Sequence, residues 1–333
     1  MKPPFPQFGN PRSQGSGFTI LELLAAMAVL ALLVVMVAQL TSSATNTITS
    51  SRKHMDADTQ ARAIFDRLAM DIGKMVKRSD VDCIVKGSNN DAPTTPPAMP
   101  GNDAMFIFSE APGYSSNMTS TQKSPVTLVG YRINETATAS APAYALERLA
   151  SAVTWDSASN GVVFVTTPAS TVSIPSPTPF PGSTIGTGWS GTVGTIGSNY
   201  KDGTSTDYQA IGEQVFRFEY CYLLKDGTFS NRPFIAPHTT ARGMQDVSAI
   251  VVAFAILDST SRKIAPDLTS LTSKLLDVTT ANLSASPPVL MAEAWKNAIS
   301  SPGFATSVGI PQLAAGQVRV YQRFFYLNNK NSI

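Results

Sequence analysis

The order of apolar and polar positions divides the chain into three regimes. Residues 1–17 show no periodicity, and Pro3, Pro4, Pro6 and Pro11 exclude a stable helix there. From Leu23 to Ala38 every residue is apolar, and Phe18–Leu40 contains only Thr19, Glu22 and Gln39 as polar members. At ~1.5 Å per residue such a helix is roughly 35 Å long, enough to cross a hydrocarbon core of about 30 Å. Val247–Leu257, the next apolar run, is too short to span and reads as a buried strand. The pattern predicts one membrane crossing.

The second regime is amphipathic. Thr41-Ser42-Ser43-Ala44-Thr45-Asn46 is polar but holds neither Gly nor Pro, so the helix can continue through it. Apolar positions resume at Ile48 and Met55, then recur at Phe65, Leu68, Ile72, Met75 and Val76 with helical spacing. Arg62, Asp66, Arg67, Asp71, Lys74 and Lys77 are expected on other faces, with Asp58/Arg62 and Arg67/Asp71 placed to pair at i,i+4. One helix from about 18 to about 78 is predicted, its second half laid on a sheet.

The third regime is strand-rich. Strands are predicted at Ala104–Phe108, Val126–Ile133, Tyr144–Leu149, Gly161–Val165, Val215–Leu224, Asp246–Leu257 and Gln317–Leu327. In Val215–Leu224, Phe216, Phe218, Tyr220 and Tyr222 alternate with Arg217, Glu219 and Cys221, and Lys225-Asp226-Gly227-Thr228 follows as a turn. Residues 267–277 and 289–300 read as helices. Residues 87–103 and 168–207 are loops rich in Pro, Thr, Ser, Gly and Asn.

Charge fixes the expected orientation. Lys2 and Arg12 precede the apolar run, and the next bases, Arg52 and Lys53, come well after it. The positive-inside tendency puts the N-terminus in the cytoplasm and the rest outside it. Removing residues 1–17 lowers the 25 basic side chains to 23, equal to the 23 acidic ones. No basic field remains to attract nucleic acid, which is not an expected partner. Cys83 and Cys221 allow one disulfide in an oxidising compartment, but both lie among apolar residues, so buried thiols fit equally well.

Glu22 changes the picture, because a carboxylate inside an apolar helix is costly and marks a function with a partner. Gly17-Phe18-Thr19-Ile20-Leu21-Glu22, after a short basic leader and before the apolar run, resembles the class III signal of type IV prepilins and type II secretion pseudopilins. That resemblance implies cleavage between Gly17 and Phe18 by a membrane prepilin peptidase, N-methylation of Phe18, and an assembly salt bridge from Glu22 to a neighbouring subunit's amino terminus. Electrostatics agrees with the last role, since an ammonium and a carboxylate neutralise one another where each alone would be costly.

Arg62-Ala63-Ile64-Phe65-Asp66-Arg67-Leu68-Ala69-Met70-Asp71-Ile72 with Arg78 resembles the stalk of pseudopilin J and W-type minor pilins. The aromatic strand, Asp-Gly turn and apolar strand are similar to pseudopilin J as well, although Phe229 and Pro233 stand near where tryptophans are usual. The layout is also similar to the Verru_Chthon cassette proteins of the C type. The expected fold class is α+β, a long transmembrane and stalk helix packed on a mostly antiparallel β-sheet pilin-like head. Expected segments are a leader (1–17), a membrane helix (18–40), a stalk (41–80) and a head (81–333).

Catalytic and metal chemistry finds little support. His54 and His238 lie at no ligand spacing, no nucleophile elbow is present, and Gly186-Thr187-Gly188 and Gly194-Thr195-Ile196-Gly197 lack a strand–helix context. Asp91, Asn102 and Asp103, or Asp202 and Asp207, could take calcium, but without a spaced ligand loop no metal or cofactor is expected. The expected protein is a minor pilin or pseudopilin subunit, not an enzyme. Its partners would be prepilin peptidase, other pilin subunits and an inner-membrane assembly platform. It would lie in the inner membrane with a periplasmic head, then in a periplasmic pseudopilus or surface pilus. Two alternatives are an adhesin-like pilin binding through 168–207 and an exported enzyme with a borrowed signal.

Overall fold

The structure, a computed structural model, describes residues 19–77, 101–111, 126–135, 143–152, 208–233, 235, 244–265 and 268–327. The chain divides into two compact units, Met1–Met55 and Asp56–Ile333. Helix α1 (Ile20–Gly73) runs from the first into the second.

In the first unit α1 is solvent-exposed along its apolar run, from Ile20 to Leu40. Among the described residues it is the one helix long and apolar enough to cross a membrane. The following Ser/Thr segment is helical, as expected. Thr41, Thr45, Thr47 and Thr49 each donate to the carbonyl four residues back, at 2.8–3.0 Å. Those bonds satisfy the hydroxyls within the helix itself.

In the second unit the buried face of α1 carries Ala57, Ala61, Ile64, Phe65, Leu68, Asp71 and Ile72. Phe65, Leu68 and Ile72 of the predicted stripe are there, joined by Ala57, Ala61, Ile64 and Asp71, while Met75 and Val76 lie past the end of the helix, which stops at Gly73 rather than near 78. Ile48 and Met55, counted with it from their spacing, are exposed. Among the described residues, two antiparallel sheets complete the core. The first is β1 (Met105–Ser109), β2 (Thr127–Asn134), β3 (Ala145–Ala152) and β4 (Tyr208–Gly212), paired in that order. The second has the order β6-β5-β7-β8, from β5 (Val215–Leu224), β6 (Phe229–Ser230), β7 (Val247–Ile256) and β8 (Arg319–Tyr326). Six short helices lie between β7 and β8: α2 (Ser259–Ile264), α3 (Leu268–Lys274), α4 (Thr280–Leu283), α5 (Met291–Ser300), α6 (Phe304–Val308) and α7 (Gln312–Ala315).

The two faces of the second sheet have different covers. Phe65 of α1 lies 4.6 Å from the Phe254 ring and 6.1 Å from Phe325, so α1 covers that face. The register pairs Phe218 with Phe254, and Arg217 and Glu219 with Ala255 and Ala253 on the opposite face. There the Trp295 ring of α5 sits 5.1 Å from the Arg217 guanidinium carbon. The alternation in β5 therefore does not mark a wet face. Arg217 and Glu219 are as buried as the aromatics beside them.

The strand predicted at Gly161–Val165 and the loop at 168–207 lie outside the described residues.

Candidate functional site

The N-terminal turn of α1 is built by two side chains. Thr19 N donates to Glu22 Oε2 at 3.0 Å, Thr19 Oγ1 donates to the same oxygen at 3.1 Å, and Glu22 N donates to Thr19 Oγ1 at 3.3 Å. This is a reciprocal capping box, which satisfies backbone donors that the first helical turn leaves open. Glu22 sits in that first turn, where its negative charge also complements the helix dipole. It is exposed and reachable by a partner. Gly17 and Phe18 lie outside the described residues.

The other end of α1 is held by a buried ionic cluster. Asp71 is completely buried in the last turn, where the helix dipole disfavours an anion. Arg148 of β3 answers with two parallel bonds, Nε to Oδ2 at 2.6 Å and Nη2 to Oδ1 at 3.0 Å. Tyr131 of β2 donates its hydroxyl to Oδ2 at 2.5 Å. Arg67 Nε adds a fourth contact at 3.5 Å. Burial, then the Asp71 charge and hydrogen bond, hold the Tyr131 phenol well above its ordinary range. Burial opposes the charge on Arg148, but the bonds and charge of Asp71 outweigh it and raise its pKa.

Asp71 was expected to face solvent, paired only with Arg67. It is instead part of the buried stripe, seven residues after Ile64 and three after Leu68. The Arg67 pair exists, but as the outer member of a cluster. Asp58, expected to pair with Arg62, accepts the Tyr321 hydroxyl of β8 at 2.6 Å. Burial and then that contact push the Tyr321 phenol up. One row along the same strands, Arg132 Nε donates to Glu147 Oε2 at 3.0 Å, and Asn134 Nδ2 to Oε1 at 2.9 Å. Arg132 also lies over the Tyr208 ring, 3.6 Å from its centroid.

A second buried cluster is centred on Arg217. Its Nε donates to Leu275 O at 2.9 Å, Nη1 bonds the carbonyls of Gly101 and Phe218, and Nη2 bonds Asp277 and, at 3.4 Å, Glu219 Oε2. Glu219 Oε1 accepts Val278 N at 2.9 Å. The guanidinium thus joins β5, the segment before β1 and the loop after α3.

Asn102 and Asp103, weighed as calcium ligands from the sequence, are engaged otherwise. Asn102 Oδ1 accepts Phe218 N at 2.8 Å and its Nδ2 donates to Phe216 O at 3.2 Å. Asp103 Oδ2 accepts Tyr220 N at 3.1 Å. These polar groups close the edge of β5 and are not arranged around a cation. Asp91, Asp202 and Asp207 lie outside the described residues. Among the described residues no cluster of three or more His, Cys, Asp or Glu could hold a metal ion. Cys221 is buried on β5, while Cys83 and His238 lie outside the described residues.

Residues 12–38 match the family model described as the prokaryotic N-terminal methylation motif. The match covers the Gly17–Glu22 pattern and most of the exposed apolar run of α1. No curated protein matches the chain.

Proposed function

On the premise that residues 12–38 make this a prepilin-type chain, anchored in the membrane near its N-terminus, we propose that it is a minor structural subunit of a type II secretion pseudopilus or a type IV pilus-like filament. Prepilin peptidase cuts between Gly17 and Phe18 and the new amino terminus is methylated. Residues 18–40 form the membrane helix, 41–80 the stalk and 81–333 the head. The N-terminus starts in the cytoplasm, the head lies in the periplasm, and an inner-membrane platform draws the subunit into the filament.

One observation carries this reading. The methylation motif coincides with the apolar run of α1, Ile20–Leu40, which is exposed throughout and whose single acid, Glu22, is in the first turn. A helix so exposed needs lipid or neighbouring helices around it. Thr19 gives that carboxylate hydrogen bonds but no countercharge, and the ammonium of a cleaved neighbour supplies one. The head takes a structural role. Its described buried charges are engaged in holding α1, the two sheets and the helical layer together, an arrangement that serves shape.

The test is the mass of the chain recovered from membranes of a host with active prepilin peptidase. The expected species lacks residues 1–17 and carries a methyl group on Phe18. Recovery of an intact Met1 form from such a host would falsify the reading.

A further inference from the structure

We propose that the outer edge of β8 is a docking site for an extended strand of another polypeptide, one that alternates apolar and acidic residues. The proposal is independent of N-terminal processing and rests on the second unit alone.

The backbone makes the first part of the case. Leu327 N donates to Ser248 O at 2.8 Å, and the ladder continues unbroken from Ala249↔Tyr326 to Ile256↔Arg319. By the alternation of an antiparallel ladder, odd-numbered residues of β8 bond to β7, and Val320, Gln322, Phe324 and Tyr326 turn N–H and C=O outward. Among the described residues no backbone group meets that edge. β8 has no Pro, Gly or bulge, and its two charged residues, Arg319 and Arg323, both stand on the face that meets α1.

The fold closes other edges. β5 is sealed by Asn102 and Asp103, with Asp103 N also donating to Phe218 O at 3.0 Å. β1 is sealed by the chain leaving α1, through Val76 N to Phe108 O at 2.9 Å and Glu110 N to Lys74 O at 3.0 Å. Among the described residues, β8 thus presents a regular eight-residue edge without the backbone and side-chain seals that β5 and β1 receive.

The side chains define the occupant. Phe324 and Tyr326 stack on one face with ring centroids 6.3 Å apart, and Tyr326 is 68% exposed. They form a shelf for apolar residues of an added strand. Arg319 and Arg323 lie on the other face. Arg323 meets Asp66 at 3.2 Å, yet its side chain is still 47% exposed. A strand with acids on that side would be complementary. A second copy of β8 fits less well, since the strand itself carries no acid, its Asp66 is already engaged by its own Arg323, and pairing centred on Arg323 sets two guanidiniums directly opposite each other.

The experiment measures binding of a fluorescein-labelled ten-residue peptide alternating valine and glutamate to the full chain in detergent, by anisotropy. Val320→Pro removes an outward donor, and Val320→Glu places a charge of the peptide's own sign on the edge while keeping the backbone donor and acceptor. Each is expected to weaken binding at least tenfold, and methylation of alternate peptide amides to weaken it at least as much. The proposal is overturned if the peptide does not bind, if the methylated peptide binds equally, or if Val320→Glu leaves affinity unchanged. Concentration-dependent dimers that Val320→Pro dissociates, without peptide binding, overturn it too by assigning the edge to self-pairing.

Discussion

Asp71, in the last turn of α1, and Arg148, in the middle of β3, form a bidentate ion pair that no solvent reaches on the Asp71 side. The residues are 77 positions apart, so the pair exists only when the stalk helix is seated on the first sheet.

Removing one partner leaves a buried charge without its counter-ion. Asp71→Ala is expected to destabilise the second unit by about 3–5 kcal/mol, with Arg148→Met similar. Asp71→Leu combined with Arg148→Met is expected to recover most of the loss, because neither charge then remains. Chemical denaturation of the full chain in detergent, followed by fluorescence of buried Trp295, measures each corner of the cycle.

Tyr131 makes the same cluster sensitive to alkali. Its folded pKa lies well above the ordinary 10.0 of the unfolded chain. The folded state therefore keeps a proton that the unfolded state gives up. Stability from this group is complete below about pH 10 and falls as pH rises through the window above it. Tyr131→Phe is expected to be less stable at neutral pH and to show a shallower decline between pH 9.5 and 11.5. A parallel decline in both proteins would remove Tyr131 as the source.

Gly130 faces the Phe106 ring so closely that an added Cβ would stand 2.5 Å from a ring carbon. Gly130→Ala is expected to cost about 1–3 kcal/mol through forced movement of that ring. Combining it with Phe106→Leu should cost less than the sum of the two. Strict additivity in thermal melts would show that the ring moves freely.

Asn102 closes the β5 edge with two bonds, so Asn102→Ala leaves Phe218 N unmatched in a buried place and Phe216 O with only the Thr272 hydroxyl, at 3.4 Å. The expected cost is about 1–3 kcal/mol. The amide of Phe218 should exchange with deuterium much faster than in the parent, while amides of β8 keep their rates. Uniform acceleration across the second sheet would instead mean a global loss of stability.

The long elements were legible because one physical rule governs each of them. α1 follows its 3.6-residue stripe, and β5, β7 and β8 follow runs of aromatic and β-branched residues. Val215–Leu224 was readable to the residue, since an Asp-Gly turn marks its end. What escaped was decided by distant neighbours. Asp71 reads as a surface acid until Arg148 and Tyr131 are brought to it, although its place seven residues after Ile64 was a visible signal. Asn102 and Asp103 resemble metal ligands in one dimension and edge caps in three. Arg217 and Glu219 alternate with aromatics as a solvent-facing row would, and only the helices after β7 bury them. β4 and the short helices α2, α4, α6 and α7 have too few residues to show a period.

The sealing of β5 by Gly101–Ala104 sets an order of events during synthesis. Asn102 waits for Phe216 and Phe218, more than a hundred residues later, and Asp58 waits for Tyr321, 263 residues later. The first pieces of the second unit thus cannot reach their final partners until nearly the whole chain has emerged. Contacts so remote in sequence slow folding. A subunit delivered through a membrane would travel with its earliest strands unfinished, and a chaperone that shields them on the far side would shorten the interval in which they can pair wrongly.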